Sequence, residues 1–203
     1  MIALSDQQAD ALAEIFNVGA GHAAASLSEI VGDEVLLSIP RIAFCRRDEL
    51  ADNLQSLQGD RLGAVRQDFS GPFTLNASLL FTEDKALEIV REMLGSQVGL
   101  DDLPEFEQEA MCELGNIILN ACMAAISDML GIEMNSTLPA YRVDRMDVVL
   151  QELTADAGQP VVLVLHIDLT IEKRETHGAL VFLLSSASFH DLIAAVDKFL
   201  ARI

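Results

Sequence analysis

Apolar residues recur at Leu12, Ile15, Phe16, Ala23, Leu27 and Ile30, the three-to-four spacing of a helix that buries one side. Ser5 and Gln8 have the spacing of a capping box, and Gly32 is placed to stop the helix. The pattern therefore predicts a helix from Asp6 to Val31. A strand, Val35 to Phe44, follows and is interrupted by Pro40, which can end a strand or bend its edge. A charged loop is expected from Arg46 to Arg61. Two strands, Leu62 to Phe69 and Phe73 to Phe81, flank the turn Ser70-Gly71-Pro72. A helix from Glu83 to Leu94 then leads to a boundary at Gly95 to Leu103.

The second part of the chain follows the same plan. Asp102-Leu103-Pro104-Glu105 offers a cap and a first-turn proline for a helix reaching Leu130. Its apolar side is Met111, Leu114, Ile118, Cys122, Ile126 and Met129. Strands are expected near Met134 to Glu152, Val161 to Ile171 and Gly178 to Leu184. A last helix runs from Ser188 to Ala201.

The likeness extends to particular residues. Asp10, Glu14 and Asn17 are matched 99 residues later by Glu109, Glu113 and Asn116. At the same offset Ala11 meets Ala110, Ser28 meets Ser127, Gly32 meets Gly131 and Pro40 meets Pro139. A repeat of this kind is read before any other feature. It predicts an α+β fold of two internally duplicated α-β-β-β-α units, residues 5–96 and 102–203, within one domain spanning 1–203. Their strands should share one antiparallel-rich sheet. Two long helices should lie on it, related by a pseudo-twofold.

A helix advances about 100° per residue, so residues 10, 14 and 17 fall on one narrow stripe opposite the apolar side. Gly21, Ala24 and Ser28 continue it. Glu109, Glu113, Asn116, Asn120 and Ser127 form the second stripe. The structural reading is a solvated helix face. Yet Asn is a mediocre helix former, and nothing local asks for it mid-helix in both copies. Beyond the Asn, small residues would let a partner approach closely.

Composition narrows the chemistry. With 13 Lys+Arg against 32 Asp+Glu the formal charge is −19, which opposes nucleic acid and anionic membrane surfaces. A 51% apolar fraction excludes a disordered acidic tail. The N-terminus has no secretory signal pattern, and the strongly apolar run Val161 to Leu165 is too short to span a bilayer. A cytoplasmic protein with no membrane insertion is expected. Cys45, Cys112 and Cys122 are odd in number and lack C-x-x-C spacing, so they read as reduced packing thiols. The four histidines show no metal-ligand spacing, and no nucleophile signature is present.

The doubled Glu-x-x-Asn, with a carboxylate four residues before each Glu and Pro just over twenty after each Asn, resembles the CheC/CheX/FliY family of bacterial chemotaxis phosphatases. Two copies in one chain look most like its CheC-like members. Asn17-Val18-Gly19-Ala20-Gly21-His22-Ala23-Ala24 is also similar to that family's first helix. Leu114-Gly115-Asn116 is family-like, whereas Phe16 precedes Asn17, and Glu109 stands where Asp or Ser is usual. The resemblance implies hydrolysis of the aspartyl phosphate of a response regulator such as CheY. It implies that Asn17 and Asn116 orient the attacking water. Glu14 and Glu113 would engage the receiver's active-site Lys, with Asp10 and Glu109 supporting the same face. No cofactor of the chain's own is implied, Mg²⁺ belonging to the partner receiver. A CheD-like deamidase is a further partner the family admits.

Such a small constellation suits an acyl phosphate, which is already activated. The receiver supplies metal and Lys, and what remains is to place one water in line. An amide does this with one donor and one acceptor, without titrating. Two other readings compete. Gly19-Ala20-Gly21-His22-Ala23-Ala24 contains G-x-G-x-x-A, a dinucleotide-binding fingerprint if a strand precedes it. A catalytically weak response-regulator adaptor, or a flagellar switch or CheD-partner module, is the non-enzymatic alternative.

Overall fold

The computed structural model describes residues 4–57, 59–94, 103–155, 161–171 and 174–202. Helix α1 is Asp6–Val31. Its start is the expected capping box: Gln8 N donates to Ser5 Oγ (3.2 Å), and Ser5 N donates to Gln8 Oε1 (2.9 Å). Its end is Gly32 at φ 76°, a left-handed cap that glycine adopts without steric cost. The helix runs unbroken through Gly19 and Gly21, so helix rather than strand leads into the glycines and the dinucleotide reading falls.

Strand β1 (Val35–Arg46) leads through a 3₁₀ turn, Arg47–Glu49, to the short helix α2 (Leu50–Asn53). The expected charged loop is thus partly helical. Strands β2 (Arg61–Ser70) and β3 (Thr74–Thr82) form the expected hairpin, followed by α3 (Glu83–Leu94). The expected boundary from Gly95 and the cap at Asp102 lie outside the described residues. Helix α4 is Leu103–Leu130.

The long strand expected from Met134 to Glu152 is a correction. The chain forms β4 (Asn135–Ser136), β5 (Ala140–Arg145) and then helix α5 (Met146–Ala155). The apolar run Val148-Val149-Leu150 mimics a strand locally. In the fold, Val149 and Leu153 turn together into the core, a helical spacing. Strands β6 (Val161–Ile171) and β7 (Arg174–Leu184) and helix α6 (Ser186–Leu200) complete the chain.

The sheet is antiparallel throughout, ordered β1-β6-β7-β3-β2, with β4 and β5 both along the outer side of β2. The first strand of each half is therefore delivered to the other half's sheet. Exchanging the halves leaves the order unchanged. Each half alone would present an unpaired edge, the feature that makes isolated sheets aggregate.

Both prolines mark the same irregularity. On β1 the step from Ser38 to Arg41 opposes only Asp168 to His166 on β6. Around Pro139, the step from Ser136 to Ala140 opposes Phe69 to Arg66 on β2. Each first strand carries one extra residue there, the place where a residue without an N–H is tolerated.

Helices α1, α3, α4 and α6 cover one face of the sheet over a core drawn from both halves, including Leu12, Phe16, Leu114, Ile118 and Phe182. Helices α2 and α5 cover the other face over Leu62, Leu80, Val162 and Val181. Residues Phe106–Leu130 of α4 are long and apolar enough to cross a membrane by length and composition. Met111, Leu114, Ile118 and Cys122 instead spend that apolarity inside the core. Cys45 and Cys122 are buried and unpaired, and burial pushes their thiols up to about 11 and about 12. Among the apolar side expected for α1, Ile30 departs: it is 49% exposed at the helix end.

Helices α1 and α4 touch at Gly19. A Cβ there would stand 2.7 Å from the Cα of Cys122. At Gly21 nothing lies within 4 Å. Gly19→Ala is therefore expected to lower stability by about 1–3 kcal/mol, overpacking outweighing the gain in helix propensity. Gly21→Ala should raise stability by up to about 1 kcal/mol. Urea midpoints of the two variants check the contrast.

Candidate functional site

Burial follows directly from which sides of α1 and α4 meet. On α1, Leu12, Ile15, Phe16, Ala20 and Ala23 are buried, so Asp10, Glu14, Asn17 and Gly21 are left exposed. On α4, burial of Met111, Leu114 and Ile118 leaves Glu109 and Glu113 exposed and Asn116 half-buried. The two expected stripes are both present, each on its own long helix. Among the described residues, Asp10, Glu14, Asn17, Glu109 and Glu113 have no hydrogen-bonded or ionic side-chain partner. Four carboxylates are thus presented without a cation, an arrangement that suits a partner bringing one.

Ser28 does not belong to the exposed stripe. Its Oγ donates to Ala24 O (2.8 Å) and accepts from Val35 N (2.9 Å), tying the end of α1 to β1.

The α4 stripe is braced more heavily. Tyr141 on β5 donates a short hydrogen bond to Glu107. Burial, followed by that bond, holds the Tyr141 phenol protonated far above its ordinary range. Gly63 makes room for it, because a Cβ there would stand 2.6 Å from the Tyr141 hydroxyl. Gly115, just before Asn116, presses on the sheet: its Cβ would lie 2.3 Å from Val65 Cγ1. Asn116 itself is not free. Asn120 Nδ2 donates to its backbone oxygen (2.7 Å) and to its Oδ1 (2.8 Å). Beyond Asn120 an open groove of about 570 Å³ runs between α4 and β4, lined by Phe69, Ser127, Met134 and Ser136 among others.

Away from the helices, pairing of β6 with β7 sets His177 opposite Asp168, with His177 Nδ1 2.7 Å from Asp168 Oδ1. Glu175 joins them, and the three potential ligand atoms lie within 4.8 Å of one another. Sequence spacing gives no sign of this trio, because only strand register assembles it. Exposed acidic groups collect in this way without a metal.

No family model matches the chain. The curated CheY-P phosphatase CheC of Bacillus subtilis is 23% identical over 159 residues, covering 77% of this chain and 76% of that protein. Among solved structures, Thermotoga maritima FliY superposes with a TM-score of 0.78 at 20% identity, covering 98% of this chain and all of that one. CheX in the CheX–CheY–BeF3–Mg²⁺ complex from Borrelia burgdorferi gives a TM-score of 0.53 at 14% identity, covering 85% and 97%. The antiparallel sheet with its long helices is the fold that the two superposed structures share with this chain.

Because Glu14, Asn17 and Glu113 do not support the fold, Glu14→Ala, Asn17→Ala and Glu113→Ala should each change unfolding free energy by no more than about 0.5 kcal/mol. Chemical denaturation checks this. A larger loss would show these side chains to be structural.

Proposed function

We propose that this chain, a CheC-like member of the CheC/CheX/FliY family, is a protein phosphatase that hydrolyses the aspartyl phosphate of a chemotaxis response regulator. The observation that carries the reading is the pair of Glu/Asn stripes left exposed on two helices whose other sides are spent in the core. The similarity to a CheY-P phosphatase supports the reaction. The CheX–CheY complex supports a receiver domain as the partner.

Each stripe has the parts the reaction needs. The amides of Asn17 and Asn116 can donate to and accept from one water, holding it in line with the leaving carboxylate. Glu14 and Glu113 can only accept while ionised, so their role is at a cationic group of the receiver, its active-site Lys. Asp10 and Glu109, one turn earlier, extend the acidic face that receives it. Mg²⁺ sits in the receiver, where it stabilises charge on the phosphoryl group. In this reading the chain works in the cytoplasm beside its partner, and a CheD-like deamidase is a further partner the family admits.

Ordering one water contributes about 2–3 kcal/mol, roughly a hundredfold in rate. Decay of a phosphorylated receiver, measured with and without the protein, tests the activity. Asn17→Ala and Asn116→Ala should each remove part of the acceleration, and the double variant nearly all of it. Receiver affinity in that double variant should stay within a few-fold of wild type. Glu14→Ala with Glu113→Ala should also weaken binding, by about 1.5–3 kcal/mol for a charge-assisted contact. Wild-type decay in the double Asn variant would defeat the assignment. Equal loss of affinity in both pairs would leave a receiver-binding adaptor or switch module.

A further inference from the structure

We infer that Asn120 is a positioning residue for Asn116, so that the α4 site holds its amide oriented before the partner arrives and the α1 site does not. The inference rests on the phosphatase reading above and deepens it.

One turn past Asn116, the Asn120 amide is fixed from two sides. Its Nδ2 donates to Asn116 O at 2.7 Å and to Asn116 Oδ1 at 2.8 Å, and lies 3.5 Å from Gln67 Oε1. Gln67 is 1% exposed and cannot swing away. Its Nε2 donates to Thr137 O at 2.7 Å. Thr137 is held in turn, its N donating to Asp68 O (3.0 Å) and its Oγ1 accepting from Asp68 N (3.1 Å). A chain of amides thus runs from the bulged edge segment through the sheet to the motif Asn.

The consequence for Asn116 is specific. Asn120 takes one acceptor direction of Oδ1 and so fixes which end of the amide is oxygen. One acceptor direction and both N–H donors remain for a water and a phosphoryl oxygen. The side chain has lost its rotational freedom before binding rather than during it.

The α1 site lacks both amides of this chain. Position 21, which corresponds to Asn120, is glycine with open space around it. Ser38 corresponds to Thr137 and pairs with Asp168. The residue preceding Asp168, in the place of Gln67, is the fully buried Ile167. The Asn17 side chain is exposed, without a hydrogen-bonding partner among the described residues.

The test isolates one site at a time. With Asn17→Ala silencing α1, adding Asn120→Ala should lower the single-turnover rate at saturating protein by about two- to tenfold, the cost of ordering one side chain. Affinity for a BeF3-loaded receiver should stay within about twofold. With Asn116→Ala silencing α4, adding Gly21→Asn should raise the α1 rate by a similar factor, and its exposed position carries no folding risk. Nitrogen-15 relaxation of the Asn116 side-chain amide gives a readout independent of activity: ordered in the wild type, mobile in Asn120→Ala. Unchanged saturating rates in both backgrounds, an Asn116 amide equally mobile with and without Asn120, or a rate loss matched by lost affinity would overturn the inference. Activity surviving in Asn17→Ala with Asn116→Ala would instead defeat the assignment of the two asparagines, and an absence of accelerated decay with the unaltered protein would defeat the phosphatase reading; in either case the relaxation result still decides whether Asn120 orders its neighbour.

Discussion

The close crossing of α1 and α4 is the constraint from which the rest follows. Gly19 lets the α1 backbone rest against Cys122, and Gly115 lets α4 settle onto Val65. With both helices pressed onto each other and onto the sheet, their apolar sides are consumed. Only one stripe of each is left for solvent, and the Glu and Asn residues occupy it. Packing density makes this arrangement unforgiving: a single methyl at either glycine must displace backbone or a buried Val. The exposure of the functional side chains is thus a product of close backbone contacts in the core.

The sheet keeps the two helices in that relation. Each half gives its first strand to the other, so neither half completes its sheet alone, and the long core runs across both. The extra residue near each proline kinks the exchanged strand at matching places. On the second strand that kink has a further use. It sets Thr137 O where Gln67 can bond it, and Gln67 reaches Asn120. Backbone irregularity and site geometry are joined there through hydrogen bonds between buried or half-buried groups, where an unmade bond is costly.

Charge complements this frame. With 32 acidic against 13 basic residues, the surface repels free anionic phosphate and favours a cation-bearing protein face. The stripe carboxylates are left without partners while Arg142, Arg145 and Arg174 elsewhere are engaged by nearby carboxylates. The acidic face is thus kept open to an incoming positive group.

The sequence by itself determined what depends on neighbours along the chain. The capping box at Ser5 and Gln8, the glycine stop at Gly32, the hairpin at Ser70-Gly71-Pro72 and the side of each helix that faces outward are local consequences of turn chemistry and the 3.6-residue period. The offset of 99 residues between matching motifs was legible for the same reason. Tertiary structure decided the remainder. Met146–Ala155 is helical because Val149 and Leu153 fill the second core beneath the sheet, although its β-branched run favours a strand in isolation. Ile30 is 49% exposed although the helical period places it on the apolar side. The inequality of the two motif asparagines was beyond any local reading. It depends on Gln67, distant in sequence from Asn120 and brought beside it only when α4 packs onto β2.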